Sequence, residues 1–330
     1  MNKLVRACCA CAAFAASGSG EVSWAAEVKL QRPDATESAG IIADGAFPSS
    51  AASGRTAYLV YLPAGYDAAA SARFPVVYLL HGRGDAMSAW GAMKPDLDRL
   101  IAAGKIPALI ALMPDAPSSR RAGYYIDSQF TGAAGLPAGE PVETIFTTEL
   151  VAHVDAHFRT QPERRARIVA GYSMGGYGAL RYALGHPATF GAAIVLSPAV
   201  YFPLPPRASS TREFGAFGRG SKIFDEGIYR EKNYPALQPA FEAARLPLAM
   251  FIAVGDREMA LADPAEASHD LDYEAHTLYN KIRRVPGITA QLRVLDGGHN
   301  WDVWRPAFVE GVQQVFRPTA TPRGPAEPRR

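Results

Sequence analysis

Beyond residue 11 the chain has no cysteine: Cys8, Cys9 and Cys11 are the whole complement. That excludes a cysteine nucleophile, a disulfide framework and a thiolate metal site from the rest of the protein. It suits an oxidising compartment without requiring one. Histidine is also scarce, with 7 in 330 residues. His153 and His157 have the i, i+4 spacing that can bind zinc, but Val154 stands where H-E-x-x-H needs glutamate and no third ligand is evident. The pair reads as two solvent-side histidines, no metal or other cofactor is expected, and His186, His269 and His276 are given no role. Charge of one sign is lacking too: 34 basic residues face 32 acidic ones. Without a basic field, nucleic acid is not an expected partner.

Long apolar runs are missing as well. Residues 7–16 are apolar and small, follow Lys3 and Arg6, and are too short to span a bilayer. A basic start, a short apolar stretch and small residues at Ser23-Trp24-Ala25 read as a secretory signal over residues 1–25, with Ala13-Phe14-Ala15 as an alternative cleavage point. The expected location is secreted or periplasmic, with no stable membrane insertion. A lipid anchor at Cys11 is disfavoured because Cys8-Cys9-Ala10 lacks the usual aliphatic residue. Taking Lys3, Arg6 and Glu21 from 34 basic and 32 acidic residues leaves 32 and 31, so the balance is unaltered in kind. Residues 318–330, rich in Pro and Arg, read as a disordered tail. Residues 26–317 are expected to form a single domain; no internal repeat is visible.

What is present points to one kind of chemistry. Gly171-Tyr172-Ser173-Met174-Gly175, followed by Gly176, lies between the apolar run 167–170 and a helix-like run at 177–184. In that strand–turn–helix context G-x-S-x-G is a nucleophile elbow. Glycines flank the serine because the turn has no room for side chains, and the serine sits at a helix N-terminus that favours negative charge. The plain alternative is a glycine-rich turn with an incidental serine.

A serine nucleophile needs a base, an orienting acid and an oxyanion hole. The apolar run 248–254 reads as a buried parallel strand and ends in Gly255-Asp256-Arg257-Glu258. The alternating run 290–295 is followed by Asp296-Gly297-Gly298-His299. Ser173, then a carboxylate, then His299 is the order of an α/β-hydrolase triad, each member just past a strand. Glu258, at Gly-x-x-acid spacing, and Asp256, directly after the strand, both remain candidates for the acid, with Asp263 a third. Upstream, the strand-like run 74–80 enters His81-Gly82-Arg83-Gly84. Its turn offers the N–H of Arg83 as one oxyanion donor, and the N–H of Met174 is the other. The Arg83 side chain either steers an anionic substrate or is solvated. His81 precedes the serine and reads as structural.

Further strand-like runs lie at 56–62, 109–113 and 192–196, and helical periodicity at 88–103, 144–158, 270–284 and 301–316. Phe146, Leu150, Val154 and Phe158 would line one buried stripe. Alternating strands and helices imply an α/β fold: a mostly parallel sheet covered by helices on both faces, with its ligand crevice at the strands' C-terminal ends. Two segments exceed simple connections. Residues 116–143 carry Tyr124, Tyr125 and Phe130; the lid-like insertion 198–247 carries Tyr201, Phe214 and Phe224 among other aromatics, with Arg207, Arg212 and Arg219. Tyr124, Tyr125, Tyr201 and, after the histidine, Trp301 are the candidate substrate-binding residues; the alternative for the aromatics of the long segments is a satellite core beneath the loop.

Together these segments resemble the esterase D / putative esterase branch of the α/β-hydrolases. The resemblance spans about residues 55–317 and rests on 77–82 with Trp90, 148–150, 168–178, and Gly297-Gly298-His299-Asn300-Trp301 with Trp304-Arg305. The sequence departs from that pattern in the acid loop and across 198–247. The resemblance implies a serine carboxylesterase working through an acyl-enzyme on a small-molecule or carbohydrate-linked ester, feruloyl or acetyl groups first. Its alternatives are a periplasmic ferric-siderophore trilactone esterase, for which the insertion's arginines speak, and a non-catalytic binding module on the same fold.

Overall fold

The computed structural model describes residues 39–317 apart from 53, 69–70, 117–121 and 260–263. The expected signal (1–25), the tail (318–330) and the third acid candidate, Asp263, lie outside the described residues. The strands in chain order are β1 (Ile41–Pro48), β2 (Arg55–Leu62), β3 (Val76–Leu80), β4 (Ile110–Pro114), β5 (Gln129–Phe130), β6 (Arg167–Tyr172), β7 (Ala192–Leu196), β8 (Arg219–Gly220), β9 (Leu248–Gly255) and β10 (Ile288–Leu295). The helices are α1 (Lys94–Ala102), α2 (Val142–Thr144), α3 (Leu150–His157), α4 (Met174–Gly185), α5 (Glu226–Lys232), α6 (Tyr234–Ala244), α7 (Leu271–Ile282) and α8 (Trp301–Val315).

Eight strands form one sheet in the order β1-β2-β4-β3-β6-β7-β9-β10, while β5 and β8 pair separately. The pairs β1·β2 and β2·β4 are antiparallel; every other pair in the large sheet is parallel. β3 shows why the sheet is covered on both faces. All five of its residues are buried, and they alternate between two cores: Val76, Tyr78 and Leu80 meet Leu150, Val154 and Leu180 on one side, whereas Val77 and Leu79 meet Trp90, Leu97 and Phe308 on the other. The expected α/β architecture is the one observed. The stripe Phe146, Leu150, Val154 and Phe158 is buried at all four positions, although a π-helical turn, Ile145–Glu149, joins α2 to α3 in place of one continuous helix. β1 escaped the sequence reading because it is an edge strand with Gly45 and Pro48, and its burial does not alternate cleanly.

This topology gathers the candidate residues. The chain runs from β3 outward to β4 on one side and returns to β6 on the other, so β3 and β6 flank the point where strand order reverses, the usual place for a ligand crevice. The turn 81–84 follows β3, Ser173 follows β6, Glu258 follows β9 and His299 follows β10. Since those strands are parallel, all four lie along one edge of the sheet.

One expectation is corrected here. His153 is not solvent-side: its ring stacks on Phe47 at 5.1 Å and its Nε2 lies 2.9 Å from the Tyr58 hydroxyl. Burial, with smaller contributions from His157 and Arg55, pushes its pKa down from 6.5 to about 4. In the unfolded chain the imidazole regains its ordinary pKa, so between pH 6.5 and 4 the unfolded state binds a proton that the native state does not. That contribution to stability is present above pH 6.5 and is lost as pH falls through the window. The melting temperature is therefore expected to decline from pH 6.5 to 4, with a shallower decline in His153→Phe; equal slopes in the two proteins, followed by circular dichroism, would count against this.

Candidate active site

The elbow is built by exclusion. A Cβ on Gly171 would sit 2.1 Å from the carbonyl oxygen of Gly175, and one on Gly175 would sit 2.1 Å from Leu80 O and 2.8 Å from His81 O. The first turn of α4 is thus in backbone contact with the end of β3. Ser173 takes φ 56° and ψ −122° between β6 and α4, a conformation that costs a non-glycine residue about 1–3 kcal/mol. Its N–H donates to Leu196 O and its C=O accepts from Ala199 N and Tyr177 N, which holds the strained residue in place.

The Ser173 Oγ lies 2.9 Å from His299 Nε2, and His299 Nδ1 lies 2.7 Å from Glu258 Oε2. An ionised carboxylate only accepts, so Nδ1 carries the proton and Nε2 is left to accept from the serine hydroxyl. Such an arrangement lets the hydroxyl shed its proton to Nε2 as the oxygen attacks an electrophile. Glu258 has a fully buried side chain, while that of His299 is 36% exposed. The second oxygen of Glu258 accepts from Gly255 N and from the Ser197 hydroxyl, each at 2.6 Å.

Asp256 is corrected as a candidate acid. Its side chain is 46% exposed and its carboxylate accepts from Gly297 N at 2.9 Å, away from the imidazole. Two backbone bonds, Asp256 N to Leu295 O and Arg257 N to Gly297 O, continue the β9·β10 pairing beyond the strands. Asp256 therefore ties the acid loop to the histidine loop.

The turn after β3 faces the elbow. Among the described residues, neither Met174 N nor Arg83 N donates a backbone hydrogen bond outside the regular elements. His81 is buried; its Nε2 accepts from Ala116 N at 3.0 Å, so its Nδ1 donates to Gly82 O at 2.8 Å. It is a neutral brace for the turn. Tyr172 braces the same turn from below, its hydroxyl donating to Asp85 at 2.6 Å and its ring closing the space beside Gly82. The Arg83 guanidinium is not simply solvated: it lies over the Phe214 ring, 5.6 Å from its centroid.

The candidate substrate residues divide. Tyr125 is fully buried and donates to His81 O; Tyr124 is 3% exposed, bonded to Thr211 and packed on Tyr177 and Phe217. Both backbones are left-handed, with φ 55° and 49°, which curls the segment so that both rings point inward. These two are core residues, a correction to the sequence reading. Tyr201 is 8% exposed, with its backbone fixed by the hydroxyl of Tyr229 and the amide of Asn233. Burial raises the phenol pKa of all three, so they remain neutral. Trp301 is half-buried, edge-on to Trp90 at 5.4 Å and to Tyr172 at 5.0 Å. Of the insertion's arginines, Arg212 is occupied by the carbonyls of Pro205 and Pro206 and by the Phe224 ring. Ser197 was missed; the signal for it is a polar residue directly after the buried run 192–196, on the same edge as the elbow.

Residues 49–315 match the family described as Putative esterase. A protein of Xylanibacter ruminicola described as endo-1,4-beta-xylanase/feruloyl esterase is 32% identical over 188 residues, 55% of this chain and 24% of that protein. The chain thus spans only 24% of that curated relative's length. Among solved structures, a ferulic acid esterase superposes with a TM-score of 0.66 at 24% identity, covering 84% of this chain and 98% of that one. An S-formylglutathione hydrolase from Agrobacterium tumefaciens gives 0.62 at 21% identity, covering 86% and 98%. Both likenesses are of fold.

The elbow makes a prediction that runs against helix propensity. Gly→Ala inside a helix ordinarily gains about 0.5–1 kcal/mol. At Gly175 the new methyl must push α4 off the β3 turn, and such overpacking costs about 1–3 kcal/mol or more. Gly175→Ala is therefore expected to lower the melting temperature, whereas Gly185→Ala, whose Cβ meets nothing closer than 3.8 Å, leaves it unchanged or raises it. A Gly175→Ala protein as stable as the parent would refute the close contact.

Proposed function

Because the chain belongs to the Putative esterase family, we propose that it is a serine carboxylesterase with Ser173, His299 and Glu258 as its triad. The observation that carries this reading is the unbroken line from the Ser173 hydroxyl through His299 to a buried carboxylate, with contacts of 2.9 and 2.7 Å. In the proposed cycle Ser173 Oγ attacks the ester carbonyl while His299 Nε2 takes its proton. Glu258 holds the imidazole in the required tautomer and stabilises the imidazolium. The tetrahedral oxyanion is met by the N–H groups of Met174 and Arg83, the first at the N-terminus of α4. His299 then returns the proton to the leaving alcohol, and water, activated by the same histidine, releases the acid from the acyl-enzyme.

The substrate class proposed first is a feruloyl or acetyl ester of a carbohydrate. Its support is the relative described as a xylanase/feruloyl esterase, together with the secretory reading of residues 1–25, which would bring the enzyme to polymer-derived esters. No helix among the described residues is long and apolar enough to cross a membrane. The trilactone alternative is weakened because Arg212, one of the three arginines invoked for it, is committed to backbone carbonyls. A non-catalytic module would have no use for a strained serine aligned on an imidazole.

The test is kcat/KM for methyl ferulate relative to p-nitrophenyl acetate, with Ser173→Ala as reference. Ester turnover is expected to fall by roughly 10³- to 10⁶-fold in the variant; turnover that survives it would sink the triad. A preference for the ferulate supports an aromatic acyl pocket. Acetate turnover alone would keep the triad and remove the feruloyl assignment.

A further inference from the structure

Behind Glu258 lies a second pair of side chains that the proposed mechanism does not use. Ser197 follows β7 directly, is completely buried, and has a left-handed backbone with φ 40°. Its N–H donates to Ala253 O at 2.7 Å, so the residue is fixed between β7 and β9. The indole Nε1 of Trp304, on α8, lies 3.0 Å from Ser197 Oγ. An indole N–H can only donate. Ser197 Oγ therefore accepts from Trp304, and its single proton goes to Glu258 Oε1 at 2.6 Å.

We infer that Ser197 and Trp304 are positioning residues that hold the Glu258 carboxylate in the orientation His299 requires. The inference rests on Glu258 being the triad acid. With Oε1 held by both the Ser197 hydroxyl and Gly255 N, the carboxylate cannot rotate about its last torsion, and Oε2 stays on His299 Nδ1. Removing the hydroxyl leaves one of the two anchors. Trp304 adds a second link: its ring stands edge-on to the His299 imidazole at 5.0 Å and stacks on Tyr172 at 4.3 Å, next to the nucleophile. One indole thus touches the base, the residue before the nucleophile and, through Ser197, the acid. A hydroxyl is needed at 197 because one atom must both accept and donate. The left-handed backbone makes glycine the least strained replacement there.

The test compares Ser197→Ala, Ser197→Gly, Trp304→Phe and the Ser197→Ala/Trp304→Phe double variant by kcat and KM on p-nitrophenyl acetate, by melting temperature, and by the low-field proton resonance of the His299 Nδ1–H. Both Ser197 variants are expected to lose about 10- to 100-fold in kcat with KM unchanged, the span of one hydrogen bond to a charged group, and the resonance shifts or broadens. Trp304→Phe keeps the ring and loses less. Added to Ser197→Ala it costs less than it does alone, because the two act through one carboxylate. A folded Ser197→Gly or Ser197→Ala with parental kcat, or a fall in melting temperature with the resonance unmoved, overturns the inference. Ser173→Ala, measured alongside, separates the two claims. Turnover that needs Ser173 but ignores Ser197 refutes only the positioning role, whereas turnover that ignores Ser173 removes the triad and this inference with it.

Discussion

The structure depends on one close approach: the backbone of the first turn of α4 lies against the end of β3, with no room for a side chain at Gly171 or Gly175. That contact fixes two things at once. It forces the chain at Ser173 into a conformation that L-residues avoid, so the hydroxyl stands clear of both strand and helix. It also brings the turn carrying Arg83 beside the N-terminus of α4, where the N–H of Met174 is free of an intrahelical partner. The proposed nucleophile and the site where negative charge would develop are therefore set by a single packing constraint. The surrounding braces, His81 to Ala116 and Tyr172 to Asp85, keep the turn from yielding to it.

The opposite side of the site is governed by a buried charge. Moving a carboxylate out of water costs several kcal/mol, and Glu258 meets that cost with three donors: Gly255 N, the Ser197 hydroxyl and His299 Nδ1. Hydrogen bonds to a charged group contribute about 1.5–3 kcal/mol each, so three of them offset much of the cost of burying the carboxylate. Asp256, nearly half exposed, has no such need and is used instead to join two loops. Two carboxylates, two residues apart, thus take different partners: Glu258 the proposed base, His299, and Asp256 the histidine loop's backbone.

Much of this was legible in the sequence because buried parallel strands read as continuous apolar runs. β3, β6, β7 and β9 stood out, and with them the residues just beyond their ends. Order along the chain then linked Ser173 to His299. The choice between Asp256 and Glu258 was not legible, since it depends on which way the chain turns after Gly255, and both residues are chemically competent. Tyr124 and Tyr125 misled for a related reason: aromatic residues in a long segment suggest a pocket wall, but two successive left-handed residues reverse their direction, and composition carries no sign of that. Ser197 was hidden because a serine after a strand is ordinary until the residues around it are known.

The insertion 198–247 is better described as fastened to the domain than as resting over it. Within it, Tyr229 and Asn233 hold the Tyr201 backbone, and its Phe202 N donates outward to the buried Glu274 of α7. The end of α5 is gripped from α4, where Tyr177 and Arg181 both donate to Lys232 O. Arg181 in turn makes a two-pronged contact with Glu143. Burial pushes the Glu143 carboxyl up, yet His186 and Arg181 together hold it below its ordinary pKa, so the pair stays charged. Breaking one partner of a buried ion pair costs about 3–5 kcal/mol, and β5 pairing with β8 ties the 116–143 segment to the same insertion. Local opening draws on regions with few buried contacts, and this segment has many. For the insertion to move away as a unit, the bonds to Lys232 O and Glu274 and the β5·β8 pairing would all have to break.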